Sequence, residues 1–217
     1  MQAKEVSVMT EIAAENRKSA SGTKSGVRAL AVTGVLSAAA FVLQLVEIPV
    51  PFLMPTFVKF DFSDLPALLG AFALGPVWGI VIELVKNLLH GLMSTSSFGV
   101  GELCNFALGA VFAGTAGLIY RFHKTKKGAV AASLIGAIVM AAVSYPLNRF
   151  VVYPFYYQFM PKETILAAYQ AIIPSMKSVE QSLLVFNVPF TFVKGMIDVV
   201  VTFLIYKKLS PILKGTK

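Results

Sequence analysis

Eight polar side chains interrupt stretches of this chain that are otherwise apolar. Glu83, Lys86, Asn87 and His90 lie within GPVWGIVIELVKNLLHGLM, and Asn187, Thr191, Lys194 and Asp198 within FNVPFTFVKGMIDVVVTF. The first set recurs at i, i+3, i+4 and i+7, and the second at spacings of four, three and four, so each occupies one helix face. In a membrane-grade segment such a face must be buried in protein or line a watery cavity. An uncompensated charge there costs roughly 2.5–3.5 kcal/mol on insertion scales. Glu83 therefore needs a base, and Lys194 needs an acid or a dipole. One arrangement places both in a single cavity, hydrogen-bonded to a polar ligand between them. Two others stay open on these residues. One is a structural Glu83–Lys194 or Lys194–Asp198 ion pair, and the other is a proton relay along the buried acids. His90, near the outer end of its run, reads as a surface histidine.

Enzyme chemistry has little to build on. The chain has no Walker A motif, dinucleotide glycine fingerprint or HExxH, and no metal-spaced Cys/His set. Its single cysteine, Cys104, excludes an internal disulfide. A metal or cofactor is not expected, and any ATP-driven step requires an ATPase on another subunit.

The elements that must position these faces follow from composition. Of 217 residues, 56% are hydrophobic and only 14% charged, with mean hydropathy +0.73. A soluble domain carries about 25% charged residues. The apolar residues fall in runs long enough for helices that cross a bilayer. The expectation is an all-α integral membrane protein. The net charge of +8 does not indicate nucleic acid, because the cations flank apolar runs as orientation signals do. The first 26 residues carry both signs of charge and no apolar core, which excludes a signal peptide.

The runs predict spans near 28–47, 64–75, 77–93, 103–120, 128–148 and 183–206. The stretch 65–75 is short for a span, so a single helix kinked at Pro76 is the alternative to two helices joined at Gly75-Pro76. Charge placement decides. With six transmembrane helices, thirteen of the 19 Lys and Arg fall on the side of the two termini. The positive-inside rule then places both termini in the cytoplasm. The organisation is a cytoplasmic tail over 1–26, a membrane domain over 27–208 and a second tail over 209–217. The fifth span is expected to break at Pro146. The segment after it is dense in tyrosine and phenylalanine, among them Tyr153, and 162–173 reads as a short amphipathic surface helix. A tyrosine there suits the membrane interface, and the cluster also suits a flat aromatic ligand. Pro49, Pro51 and Pro55 exclude a regular helix over 48–63, although that loop is apolar. It is expected to pack at the interface or to act as a lid. STSSFGVG, 94–101, reads as an outer turn. The first span is rich in small residues, with Gly34 and Ala38 as a small-xxx-small pair. They serve either packing within the chain or docking of a partner.

The run FDFSDLPALLGAFALGPVWGIVIELVKNLLH and the later NVPFTFVKG resemble the substrate-binding S components of energy-coupling-factor (ECF) vitamin transporters, and within them the riboflavin-specific members. The resemblance covers about 28–206. It implies a six-helix bundle in a bacterial cell membrane that binds one vitamin near its outer face. It also implies docking, through Ala31, Gly34 and Ala38, on a membrane T component driven by two ABC-type ATPases. By the same resemblance, Leu53, Met54, Pro55, Thr56 and Phe57 lie over the flavin. Glu83, Asn148, Thr191 and Lys194 become its polar partners, alongside Asn87 and Tyr153. Thr191 stands where some relatives have asparagine, and its side chain is shorter. The ligand implied is riboflavin, with flavin mononucleotide as an alternative. A stand-alone proton-coupled carrier and an S component for another vitamin are the competing readings.

Overall fold

The computed structural model describes residues 26–93 and 99–214, with side chains placed up to residue 205. The expected N-terminal tail before residue 26, the turn over 94–98 and the last three residues lie outside the described residues.

Helix α1, Gly26–Leu45, carries its buried residues on one stripe: Thr33, Leu36, Ser37, Ala40 and Gln44. Leu30, Val35 and Val42 face outward. The proline-rich segment that follows forms no helix, as expected. It folds back on itself through a two-residue antiparallel pair, β1 (Ile48–Pro49) with β2 (Lys59–Phe60), in which Ile48 faces Phe60 and Pro49 faces Lys59.

Helix α2, Asp64–Leu74, has only 11 residues, and its first nine are all buried. A helix that is apolar all round belongs in a core, and α2 is packed by α3, α4 and α9. It ends at Gly75, whose φ of 115° suits glycine. Helix α3, Pro76–Met93, starts at the next residue, with proline at a first-turn position that needs no N–H donor. The Gly-Pro pair is therefore a turn between two helices, and the single kinked helix is excluded. The two pack closely at Gly79, where an added Cβ would lie 2.8 Å from the Ala71 Cβ and 3.0 Å from the Ala67 carbonyl oxygen.

Helix α4, Val100–Phe122, and α5, Lys126–Leu147, form the second hairpin. Thr125 caps α5 by accepting the Gly128 N–H at 3.0 Å. The expected break at Pro146 does not occur. The helix passes through Pro146, widens into a π-helical turn over Asn148–Val152, and continues as α6, Tyr153–Tyr156. A wider turn of this kind absorbs a local break in the hydrogen-bond ladder without ending the helix. The surface helix α7 spans Lys162–Gln170. Helix α8, Val179–Ser182, leads through a second π-helical turn, Leu183–Asn187, into α9, Val188–Lys214. This second turn ends just before Pro189, so each π turn lies within two residues of a proline.

Among the described residues, four helical stretches are long and apolar enough to cross a membrane: Gly26–Leu45, Val100–Phe122, Lys126–Tyr156 and Val179–Ile205. Helix α2 is too short and α3 carries the polar face. Together they form a hairpin in which α2 is enclosed and α3 turns its polar face inward, with Val77, Leu84, Leu88 and Leu92 left on the outside. The core divides accordingly. Leu36 and Ala40 of α1 share a cluster with Leu65, Leu69 and Ile82 of the hairpin. Phe72, Phe112, Met140 and Val199 join α2, α4, α5 and α9. A third cluster gathers Met54, Tyr153, Ile165, Tyr169 and Leu183 around the loops at one end.

Candidate functional site: an aromatic cavity over a buried ion-pair network

The N-terminus of α2 organises the site. Asp61 accepts the Ser63 N–H on Oδ1 at 2.8 Å, a short Asx turn that leads into the helix. Its Oδ2 lies 3.2 Å from Lys194 Nζ. Asp64, in the first turn of α2, serves two lysines. Its Oδ2 is 3.1 Å from Lys194 of α9, and its Oδ1 is 2.5 Å from Lys86 of α3. Lys86 also donates to Ser63 Oγ at 2.7 Å and lies 2.8 Å from Glu83 Oε2. The order is thus Asp61, Lys194, Asp64, Lys86, Glu83. Lys86 and Glu83 are fully buried. Gly109 of α4 makes room for Glu83, since a Cβ there would lie 2.2 Å from the carboxylate. Breaking one member of such a network leaves an uncompensated charge in the core, at a cost of about 3–5 kcal/mol.

Above the network opens a cavity of about 430 Å³. Phe57, Tyr156, Phe159 and Phe190 contribute aromatic surface to its wall. Polar groups converge from the two π-helical turns (Asn148 and Asn187), from α9 (Thr191, Lys194), and from Asp61 and Asp64 just before and at the start of α2. A second polar group joins α1, α3 and α4. His90 Nδ1 lies 3.0 Å from Glu102 Oε1, and His90 Nε2 lies 3.7 Å from Glu47. Glu47 is paired with Lys59 of β2. Gln44 of α1 donates to Asn87 Oδ1 at 2.9 Å, and Asn87 in turn donates to the Glu83 carbonyl at 2.8 Å.

Asn187 is held by a closed ring of hydrogen bonds. Burial holds the Tyr169 phenol above its ordinary pKa, so it stays protonated and donates to Asn187 Oδ1 at 2.7 Å. Asn187 Nδ2 donates to the Tyr153 hydroxyl at 3.3 Å, and the Tyr153 hydroxyl pairs with that of Tyr169. A pinned amide presents a fixed donor and acceptor pattern to a ligand.

The structure brings five of the expected ligand residues to the cavity: Phe57, Asn148, Tyr153, Thr191 and Lys194. Leu53, Met54, Pro55, Thr56, Glu83 and Asn87 do not line it. Met54 is fully buried in the loop cluster, while Leu53 is half exposed. Glu83 sits behind Lys86, so the polar face of α3 is mainly a support for the site. His90 is its one member at the cavity. Neither anticipated ion pair of Lys194 forms. Its partners are Asp61 and Asp64 instead, because α2 starts beside α9. His90 is buried against Glu102 rather than lying on the surface. Asp61, Asp64, Glu47 and Glu102 escaped the sequence reading because carboxylates at the ends of apolar runs look like ordinary boundary residues. The one available signal was the charge balance, since two lysines inside spans demand acids from elsewhere. On α1, Ala31, Gly34 and Ala38 are exposed, and an added Cβ at Gly34 would meet nothing within 4 Å.

Comparison with known proteins agrees with this architecture. Residues 28–206 match the family model described as "ECF transporter, substrate-specific component". The riboflavin transporter RibU of Staphylococcus aureus (strain TCH60) is 38% identical over 185 residues, covering 85% of this chain and 92% of that protein. The riboflavin transporter FmnP of Bacillus subtilis (strain 168) is 32% identical over 187 residues, covering 85% and 93%. A solved structure reported as "Structure and mechanism of the S component of a bacterial ECF transporter" superposes with a TM-score of 0.68 at 35% identity. It covers 87% of this chain and 99% of the other. By family match, identity and fold together, the chain belongs to the substrate-specific components of ECF transporters, and is a transporter component rather than an enzyme.

Proposed function

We propose that this chain is the riboflavin-binding subunit of an ECF-type vitamin uptake transporter in a bacterial cell membrane. The observation that carries the reading is the cavity. At about 430 Å³ it falls in the range of roughly 300–1,000 Å³ usual for small-molecule sites, which combine apolar walls with a few placed polar groups. An isoalloxazine has an apolar edge and an edge of alternating donors and acceptors. Phe57, Tyr156 and Phe190 suit the first. Lys194, Thr191 and Asn187 suit the second, and Asn148 suits a ribityl hydroxyl. The names of the S. aureus and B. subtilis relatives support the same ligand.

In this reading Glu83 acts at one remove. It holds Lys86, Lys86 holds Asp64, and Asp64 holds Lys194 at the cavity wall. The loop carrying Leu53 to Thr56 is a lid whose inner residue, Met54, anchors it to the Tyr153–Tyr169 cluster. The helices cross the membrane six times, with α2 and α3 as the short second and third crossings, and both termini are cytoplasmic. Energy comes from partners, a T component and two ABC-type ATPases, with the exposed Ala31, Gly34 and Ala38 face of α1 as the docking surface. No cofactor is required.

Titration of the detergent-purified protein with riboflavin, read by quenching of flavin fluorescence, tests the ligand. Stoichiometric quenching is expected, and Lys194→Ala should weaken binding at least about tenfold, the loss of one charge-assisted hydrogen bond, while the bundle stays folded with a lowered melting temperature, because Asp61 and Asp64 lose a partner. Absence of quenching by the unaltered protein overturns the riboflavin assignment.

A further inference from the structure

Beneath the ion-pair network lies a second set of buried polar atoms. Eight buried side-chain oxygens among the described residues lack a hydrogen-bond partner. Five of them belong to four residues: Thr33 and Ser37 of α1, and Asp198, with both its oxygens, and Thr202 of α9. These four residues are at most 3% exposed. Asp198 is the acid that the network leaves out. Asp61, Asp64 and Glu83 each lie within 3.2 Å of a lysine, whereas Lys194, one turn before Asp198 on α9, turns to Asp61 and Asp64. Buried hydroxyls elsewhere are satisfied within their own helix, as where Ser133 and Ser144 donate to α5 carbonyls at 2.9 and 2.7 Å.

The two helices bring the four residues level with one another. Helix α1 ends at the cavity with Gln44, and α9 leaves it after Thr191 and Lys194, so the two run antiparallel. Val32 and Leu36 of α1 share a core cluster with Val201 and Ile205 of α9. Leu36 stands at Gly70 of α2, where an added Cβ would lie 3.4 Å from the leucine Cδ1. That is six residues, or about 9 Å, below Asp64. Asp198 is four residues, or about 6 Å, below Lys194, the partner of Asp64. Ser37 is thus level with Asp198, and Thr33, one turn further down, is level with Thr202.

An ionised carboxylate in such a place needs a counter-charge. The oxygens around it are hard donors, without nitrogen or sulfur, which suit alkali and alkaline-earth cations rather than zinc or copper. A single carboxylate, with Lys194 and Lys86 in the network above it, favours a single charge. From this geometry we propose that Thr33, Ser37, Asp198 and Thr202 form a site for one small monovalent cation of the sodium class, enclosed between α1 and α9 below the cavity. The cation neutralises Asp198, which then does not compete with Asp61 and Asp64 for Lys194, and it ties α1 to α9. No single run of sequence signals the site, because its two halves lie near opposite ends of the chain.

The test is thermal unfolding of the full-length detergent-purified protein in sodium chloride against choline chloride of equal ionic strength and pH. Sodium at about ten times its dissociation constant should raise the melting temperature by about 3–6 °C, through its preference for the folded state. Equilibrium dialysis with radioactive sodium should find one ion per chain. Asp198→Asn should abolish both effects. Thr202→Val keeps the shape and removes one ligand, so it should weaken sodium binding severalfold, and it carries the test if the first variant fails to fold. Equal melting temperatures in the two salts, with no sodium retained, overturn the site. So does a stability that follows pH but not sodium, which would make Asp198 a proton site. Unchanged sodium binding in either variant overturns the assignment to these residues. Neither readout uses a flavin, so this inference and the riboflavin reading stand or fall separately.

Discussion

Asp64 is the residue on which the buried network turns, because its two oxygens serve different helices. Oδ1 holds Lys86 of α3 and Oδ2 holds Lys194 of α9. Substituting it leaves two ammonium groups facing each other below the cavity. Asp64→Asn keeps the shape and removes the charge, so stability should fall by about 3–5 kcal/mol, the usual cost of breaking a buried pair. Thermal unfolding in detergent measures this. Ligand affinity should fall as well, because Lys194 loses its anchor. A melting temperature equal to that of the unaltered protein would show that Asp64 is not needed to hold the two lysines. His90 illustrates a different point about single residues. Its place near the outer end of its run suggested a surface histidine, but the fold closes Glu102 and Glu47 around it.

At the scale of elements, the short buried α2 is the central feature. It contributes the acids at its start and close packing along its length. The approach of α3 depends on Gly79, where a Cβ would already meet Ala71 and the Ala67 carbonyl. Gly79→Leu should therefore push the hairpin apart and cost about 1–3 kcal/mol, as overpacking generally does. A lowered melting temperature with reduced riboflavin capacity is the expected readout, and an unchanged melting temperature would mean that the hairpin tolerates separation. The two π turns are the other element-level device. One presents Asn148 and the other ends at Asn187, and both residues line the cavity. A π turn re-aims side chains relative to a regular helix, so each amide reaches the cavity at a place where its helix changes pitch.

For the molecule as a whole, the proposed function divides binding, at the cavity, from delivery, at the exposed face of α1. Ala31, Gly34 and Ala38 make no wall of the cavity and lie on the outer side of α1. Gly34→Leu places a bulky side chain where nothing within the chain stands in its way. Riboflavin affinity of the purified subunit should stay within about twofold, an exposed-site effect. Uptake by cells carrying the partner subunits should fall severely, because small residues permit close helix approach in lipid. Unimpaired uptake would remove this face from docking.

Sequence alone determined the class of the molecule and the identity of its main helices. Long apolar runs have few other physical outcomes in a bilayer, and Gly75-Pro76 and the proline-rich 48–63 segment set their own boundaries. It placed the polar faces of both α3 and α9 at the ligand; α9 reaches the cavity with Thr191 and Lys194, whereas of the α3 face only His90 does. It could not pair the charges. Periodicity reports which residues share a face of one helix, but not which helix comes to lie opposite. Tertiary structure decided that Glu83 and Asn87 support the site while Asp61 and Asp64 reach it. It also decided that Pro146 is accommodated within its helix. The reason is the same in each case. A charge or a proline in a span has a fixed local cost, and only the neighbours assembled around it determine how that cost is offset.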